Sequence, residues 1–142
     1  MSDQMHAHAS MVKEITIGSN PDNLPLVEGF IDEIRSLLDF RDDVYGNVMV
    51  AITEAVNNGI HHGNGSDPDR KVFIRCESVN PYRILVRVQD EGKGFDPDRL
   101  PDPTAPENLE NPGGRGVFLM RHLSDDIEFE NEGRTVKMFF NI

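Results

Sequence analysis

Apolar residues recur with two different spacings along the chain, and the spacing separates candidate helices from candidate strands. Over positions 26–38 the spacing is helical, and the apolar positions are Leu26, Phe30, Ile34, Leu37 and Leu38. A longer stripe predicts a second amphipathic helix, which Gly63 and Gly65 end. Its apolar positions are Val44, Val48, Ile52, Ala55, Val56 and Gly59. A third, short helix is predicted over 117–123.

Apolar and polar residues alternate in the segments that we predict to be strands. Val12, Ile15 and Ile17 indicate a short edge strand near the start of the chain. A hairpin is predicted across the turn at Asn80 and Pro81, with apolar positions at Val72, Ile74, Cys76, Ile84, Val86 and Val88. A closing hairpin around 131–133 has apolar positions at Ile127, Phe129, Val136, Met138, Phe140 and Ile142.

The order of these elements favours one fold class. Helices and strands occur in blocks instead of alternating strictly, which is typical of an α+β protein. We therefore expect a two-layer sandwich, with helices packed on one face of a mixed, mostly antiparallel sheet. Residues 1–11 are expected to be a flexible N-terminal segment and residues 12–142 a single domain. The Pro-rich stretch at about 95–113 has no periodicity and is too long for an ordinary connection, so we expect a lid there.

Composition narrows the possible functions. The 142 residues include 14 Lys and Arg against 25 Asp and Glu, a net charge of −11 with His neutral, which disfavours direct binding to nucleic acid or anionic lipid. No apolar run is long enough to span a membrane, and no secretory signal is visible at the N-terminus. The single cysteine, Cys76, is expected to be a buried and inert thiol, and it fits a cytoplasmic protein.

Three polar side chains follow one another along the second predicted helix. Glu54, Asn58 and His62 have helical i, i+4 spacing and form a ridge beside the apolar stripe. This ridge is either the polar border of a helix, or a site at which Asn58 provides an oxygen ligand for Mg²⁺ and Glu54 a base.

A second cluster follows the strand that ends near position 90. Asp90 shares the parity of the apolar positions of this strand, so its carboxylate is expected to point toward the buried face. A buried carboxylate needs a donor, and the exocyclic amine of a purine is one candidate. Gly92 and Gly94 would allow a flat ring to approach closely. The alternative is an ordinary acidic turn after a strand.

A glycine-rich segment precedes the third predicted helix. Gly114, Arg115 and Gly116 follow Gly113, and backbone N–H groups at a helix N-terminus favour anions such as phosphate. The segment matches neither a Walker A loop nor a dinucleotide-binding fingerprint. The alternative is a flexible loop that ends at a helix cap.

Taken in order, these motifs resemble the N, G1 and G2 boxes of the GHKL ATPase superfamily. The matching segments are Glu54-Ala55-Val56-Asn57-Asn58, His62-Gly63, Asp90-Glu91-Gly92-Lys93-Gly94-Phe95, and Gly113-Gly114-Arg115-Gly116-Val117-Phe118-Leu119-Met120. The chain is most similar to the RsbW-like branch of anti-sigma factor serine/threonine kinases. The resemblance covers about residues 12–142 and implies the Bergerat fold, with ATP between the helices and the sheet.

The resemblance also implies roles for individual residues. Asn58 would be the Mg²⁺ ligand, Glu54 the general base, and Asp90 the acceptor for the adenine amine. The remaining nucleotide-binding positions would be His62, Gly92, Gly94, Gly114, Arg115 and Gly116. Members of this branch bind a sigma factor and phosphorylate a serine on a STAS-domain antagonist, and many act as dimers.

The chain departs from the family pattern at the start of the last strand. The family usually has a Thr after the glycine at this point, and that Thr supports the adenine-binding Asp. Here Arg134 follows Gly133, and it has the same parity as the apolar positions Val136 and Met138. Thr135 has the opposite parity, so a bulge would be needed to bring its hydroxyl to the site. Two alternatives remain open: a non-catalytic nucleotide-binding regulatory module, and the ATPase domain of a sensor histidine kinase. The second is disfavoured because no helix pair with a phospho-accepting His precedes the domain.

Overall fold

The computed structural model describes residues 11–93 and 112–142. Residues 1–10, which make up most of the expected N-terminal segment, lie outside the described residues. So do positions 94–111, which include Gly94 and most of the expected lid. Within the described ranges, no helix is long and apolar enough to cross a membrane.

Within residues 11–93 and 112–142, five strands form one sheet, and buried and more exposed side chains alternate along them as the sequence predicts. They are β1 (Val12–Gly18), β2 (Lys71–Asn80), β3 (Arg83–Gln89), β4 (Asp126–Glu130) and β5 (Thr135–Asn141). Their order across the sheet is β1-β2-β3-β5-β4, so β1 lies at one edge, as expected. All pairings among the described strands are antiparallel, so the parallel pairing that a mixed sheet requires does not occur there. Short hairpins join β2 to β3 and β4 to β5, and such connections impose antiparallel pairing.

In the described part of the chain, three α-helices form the second layer. They are α1 (Leu24–Leu38), α2 (Asp42–Asn58) and α3 (Pro112–Leu123), and a π-helical turn, Gly59–Gly63, extends α2. The apolar stripe predicted for α2 is buried. The α+β sandwich predicted from the sequence is therefore confirmed.

The apolar stripe predicted for α1 is wrong at two positions. Leu26 and Leu37 are 56% and 54% exposed, whereas Val27 and Ile31 are fully buried. Two helical stripes overlap in this sequence, and α1 turns the one that includes Val27, Phe30 and Ile31 toward the sheet. Successive residues are rotated by about 100°, so Leu26 falls at the border of that face.

Helix α3 begins five residues earlier than the predicted start at position 117. Its first residue is Pro112, whose fixed backbone angle suits the first position of a helix. The glycines after it have low helix propensity and therefore resemble a loop in the sequence. Packing against α2 compensates for that low propensity.

One face of the sheet forms the core with the helices. The register aligns Ile15, Ile74, Val88, Val136 and Phe129 across all five strands. These residues belong to, or pack against, the buried cluster that includes the apolar faces of the helices. The predicted alternation thus places every second residue of the central strands in one core.

The opposite face of the sheet carries long charged side chains. The same register aligns Glu14, Arg75, Arg87, Lys137 and Glu128 in a row. Glu14 pairs with Arg75 at 3.0 Å, and Glu128 pairs with Lys137 at 3.6 Å. A polar outer face is usual for an antiparallel sheet with helices on one side only.

Candidate functional site

A cleft lies between α2 and α3 on one side and the ends of β3 and β5 on the other. The cleft is lined by Ala55, Asn58, Gly59, Val88, Asp90, Met120, Phe129, Gly133, Arg134 and Val136. Apolar side chains form most of the lining, and Asp90, Asn58 and Arg134 are its polar side chains.

Asp90 provides the carboxylate of the cleft, in the buried orientation that the strand parity predicts. It is only 8% exposed. One carboxylate oxygen, Oδ1, accepts a hydrogen bond from the Gly92 N–H at 2.8 Å. Burial raises the pKa of Asp90, while the Gly92 N–H and the charges of Arg134 and Arg70 act against that rise. The cleft therefore holds a carboxylate that can accept a further hydrogen bond from a ligand.

Two glycines allow the backbone to close tightly around Asp90. A Cβ atom on Gly63 would overlap the Asp90 carboxylate, and a Cβ atom on Gly92 would overlap the Gly63 carbonyl. Gly59, one turn earlier, would place its Cβ 3.6 Å from the Cβ of Asp90. The π-helical turn and the segment after β3 thus pack backbone to backbone.

Asn64 is a buried residue of this region that belongs to none of the motifs identified in the sequence. It is 1% exposed. Its Nδ2 donates to Ser19 Oγ and to the Lys71 carbonyl, both at 2.8 Å, and its Oδ1 accepts from the Glu91 N–H at 2.7 Å. Asn64 therefore ties three chain segments together directly behind Asp90. A Gly-Asn-Gly sequence was the only local signal, and it is equally typical of an ordinary turn.

Arg134 contacts the segment that carries Asp90. Its carbonyl accepts from the Asp90 N–H at 2.9 Å, and its Nε donates to the Gly92 carbonyl at 2.7 Å. The register between β3 and β5 is continuous, with Gln89 opposite Thr135. No bulge therefore brings the Thr135 hydroxyl to the cleft, and it receives a hydrogen bond from Asn131 instead. The predicted parity of these two residues is confirmed.

The polar ridge on α2 is only partly placed at the cleft. Asn58 lines it, whereas Glu54 and His62 do not, and His62 is exposed. Asn58 faces Gly116 of α3, where an added Cβ would be 2.9 Å from Nδ2 and 3.0 Å from Oδ1. No group of three or more His, Cys, Asp or Glu side chains in the described residues could hold a metal ion.

The glycine-rich segment lies within the first turns of α3. Gly114 is close enough to the start of the helix for its N–H to have no partner within the helix, and the Arg115 side chain is exposed. Gly116 is one turn further on, so its N–H points toward the carbonyl of residue 112 within the helix. Gly116 also allows the close approach of α3 to Asn58, and its role in phosphate binding stays a prediction.

Comparisons with known proteins agree with this geometry. A family model described as a histidine kinase-like ATPase domain matches residues 17–140. The anti-sigma F factor of Heyndrickxia coagulans is 31% identical over 109 residues, which cover 75% of this chain and 71% of that protein. The serine-protein kinase RsbW of Bacillus subtilis is 27% identical over 132 residues, covering 88% and 82%. RsbW of Listeria monocytogenes is 25% identical over 139 residues, covering 92% and 88%.

Proposed function

The chain belongs to the histidine kinase-like ATPase domain family, and from this premise we propose that it is an anti-sigma factor and an ATP-dependent serine/threonine protein kinase. It binds a sigma factor, and it transfers the γ-phosphate of Mg-ATP to a serine or threonine of a STAS-type antagonist. The names of its relatives, anti-sigma F factor and serine-protein kinase RsbW, support both activities. The proposal includes a cytoplasmic location and a homodimer.

The observation that carries the proposal is the buried carboxylate of Asp90 at the bottom of an otherwise mainly apolar cleft. An adenine ring offers a flat apolar surface and one exocyclic amine donor. Asp90 supplies the matching acceptor, while Val88, Met120 and Val136 supply apolar contacts. Since Asp90 makes only one hydrogen bond through its carboxylate within the described residues, it retains capacity to accept another.

The residues present also fit the polar part of Mg-ATP. Asn58 offers an amide oxygen at the cleft, and Mg²⁺ often binds through one or two protein oxygens, phosphate oxygens and water. The first turn of α3, with Gly114 and Arg115, offers backbone N–H groups and a positive charge for phosphate. Bound Mg-ATP would supply the transferable phosphoryl group and the charge of the metal ion.

The catalytic role falls to Glu54. It is half-buried and lies one helical turn before Asn58, on the same side of α2. Its carboxylate is proposed to accept the proton of the hydroxyl group on the protein substrate. The other residues orient the reactants and stabilise charge, which are the main tasks of a protein in phosphoryl transfer.

Calorimetric titration with ATP, with and without Mg²⁺, tests the proposal. Wild type is expected to bind ATP in the micromolar range, and Asp90→Asn to lose that binding because the amide presents a donor where the adenine amine needs an acceptor. Asp126→Asn is the matched control, since it replaces a carboxylate by an amide in the same way at the start of β4, outside the cleft. Equal ATP affinity in wild type and Asp90→Asn would overturn the assignment of the adenine site.

A second candidate function is a regulatory module that binds ATP without transferring phosphate. It is favoured by one observation, namely that Glu54 does not line the cleft. Incubation with γ-labelled ATP and a purified STAS-domain protein distinguishes the two functions. Label on the STAS protein supports the kinase, and ATP binding without label supports the module.

A further inference from the structure

We propose that Arg134 is a positioning residue of the cleft, which fixes the segment from Asp90 to Lys93 so that the Asp90 carboxylate faces the base of the nucleotide. This inference rests on the proposed function, and it assigns a role to the residue at which the chain departs from the family pattern. Arg134 acts through Asp90 and Gly92.

The contacts of Arg134 hold this segment at both ends. Its backbone carbonyl receives the Asp90 N–H at 2.9 Å. Its side chain reaches past Asp90, where Nε donates to the Gly92 carbonyl at 2.7 Å and Nη2 to the Lys93 carbonyl at 3.4 Å. The Gly92 N–H then donates to Asp90 Oδ1 at 2.8 Å. These bonds form a closed ring through Arg134, Asp90 and Gly92.

The turn before β5 determines where the Arg134 side chain begins. Asn131, Glu132 and Gly133 have φ angles of +54°, +59° and +84°. Three successive left-handed residues are unusual. Asn131 and Gly133 adopt this conformation readily, whereas Glu132 adopts it at an energetic cost that the surrounding structure must offset. The Arg134 N–H donates to the Asn131 carbonyl at 3.2 Å, and the Asn131 side chain donates to Thr135 Oγ1 at 2.9 Å. The turn is thus fixed on both sides of Arg134.

Arg134 also acts on the charge of Asp90. In the part of the chain that the structure describes, the charged groups that lower the Asp90 pKa are Arg134, before β5, and Arg70, before β2. The π-helical turn packs against Asp90 through Gly59 and Gly63, and its two histidines are exposed. Loss of Arg134 therefore removes one of these two charges, whereas burial still raises the Asp90 pKa.

The test combines ATP titrations at several pH values with two substitutions of Arg134. Arg134→Ala is expected to bind ATP at least about tenfold more weakly at neutral pH, since it loses a positioning contact. The Asp90 pKa is expected to rise in this variant. On acidification, Arg134→Ala should therefore lose ATP binding at a higher pH than wild type does. Arg134→Lys keeps the charge but lacks the planar group that reaches both carbonyls, so affinity stays reduced while the pH dependence returns toward that of wild type.

Lys137→Ala is the matched control, because it removes a positive charge from the same strand. The Lys137 side chain pairs with Glu128 and Glu130 on the other face of the sheet, so ATP affinity and its pH dependence are expected to stay unchanged. Thermal unfolding of each variant shows whether it is folded. If Arg134→Ala does not fold, Arg134→Lys alone is compared with wild type. Equal affinity at every pH in wild type and both Arg134 variants would overturn the inference.

Failure of the proposed function gives a different result, because wild type would then bind no ATP. The inference is still testable by NMR on the protein without nucleotide. Arg134→Ala is expected to shift the Gly92 amide resonance and to raise the pH midpoint of the Asp90 carboxyl resonance. Unchanged values of both quantities would overturn it.

Discussion

The side chain of Asn64 accepts a hydrogen bond of 2.7 Å from the N–H of Glu91, although the two residues are 27 positions apart in the sequence. The same side chain donates to Ser19 and to the Lys71 carbonyl. One buried amide therefore connects the loop after α2 with the segments on either side of the β2 and β3 hairpin.

Asn64→Ala is expected to destabilise the protein by about 3 kcal/mol or more, since it leaves several buried polar groups without partners. Urea denaturation measures the change in the free energy of unfolding. Ser19→Ala removes one partner of the network and is expected to have a smaller effect. A loss below about 0.5 kcal/mol in Asn64→Ala would mean that water satisfies these groups.

Gly92→Ala is expected to abolish ATP binding and to destabilise the fold, because the added methyl group would overlap the Gly63 carbonyl. Gly46→Ala is the matched control, since a Cβ atom there meets nothing within 4 Å. Gly46 lies inside α2, where alanine is a better helix former than glycine. The control is therefore expected to stabilise the protein by about 0.5–1 kcal/mol. Thermal unfolding and calorimetry measure the two effects. Normal ATP binding in Gly92→Ala would contradict the close approach of these segments.

Glu54→Gln is expected to keep ATP affinity and to slow phosphate transfer by about a hundredfold or more, as expected for loss of a general base. Asn58→Ala is the companion variant, and it is expected to lose the Mg²⁺-dependent part of ATP binding. The rate of phosphate transfer to a STAS-domain protein and the ATP affinity from calorimetry measure these changes. Transfer at the wild-type rate in Glu54→Gln would exclude Glu54 as the base.

Asp90→Asn is expected to be more stable than wild type at neutral pH. Burial raises the pKa of Asp90 in the folded state above its ordinary value of 3.8, so the folded protein binds the proton more tightly than the unfolded chain. Stability due to this group is therefore present at low pH and lost as pH rises through the folded-state pKa. Denaturation at neutral pH and below pH 3.8 should show a stability difference that disappears in acid. A difference that persists unchanged in acid would contradict this linkage.

Cys76 is expected to resist thiol reagents in the folded protein. It is fully buried in β2, and burial, with a smaller contribution from Glu77, raises the pKa of its thiol to about 12. Since the thiolate is the reactive form, labelling near pH 8 should follow global unfolding. Labelling in urea provides the reference rate. Equally rapid labelling without urea would show that β2 opens locally.

The fold was predictable because its core depends on simple periodicity. Alternation along β3 correctly assigned Val88 to the core, and the same parity placed Asp90 at the buried end of the strand. Periodicity could not choose between the two overlapping stripes of α1, so Leu26 was wrongly assigned. It also could not reveal that α3 begins at Pro112, because contacts with α2 compensate for the low helix propensity of the glycines.

The site was less predictable, since its geometry depends on contacts between distant segments. Parity correctly separated Arg134 from Thr135, but it could not show that the Arg134 side chain reaches the Gly92 carbonyl. The Gly-Asn-Gly sequence around Asn64 does not distinguish this residue from an ordinary turn residue, because its partners lie in three other segments. The roles of Glu54 and Asn58 in catalysis and metal binding remain predictions.

The position of β5 between β3 and β4 has a consequence for a chain that is still being synthesised. Until residues 134–141 have left the ribosome, β3 has a free edge and the Asp90 N–H lacks the carbonyl that it donates to. β4 likewise waits for its only partner strand in the described sheet. A nascent chain therefore cannot assemble a working cleft from its earlier segments, and truncation before Arg134 would leave an aggregation-prone strand edge.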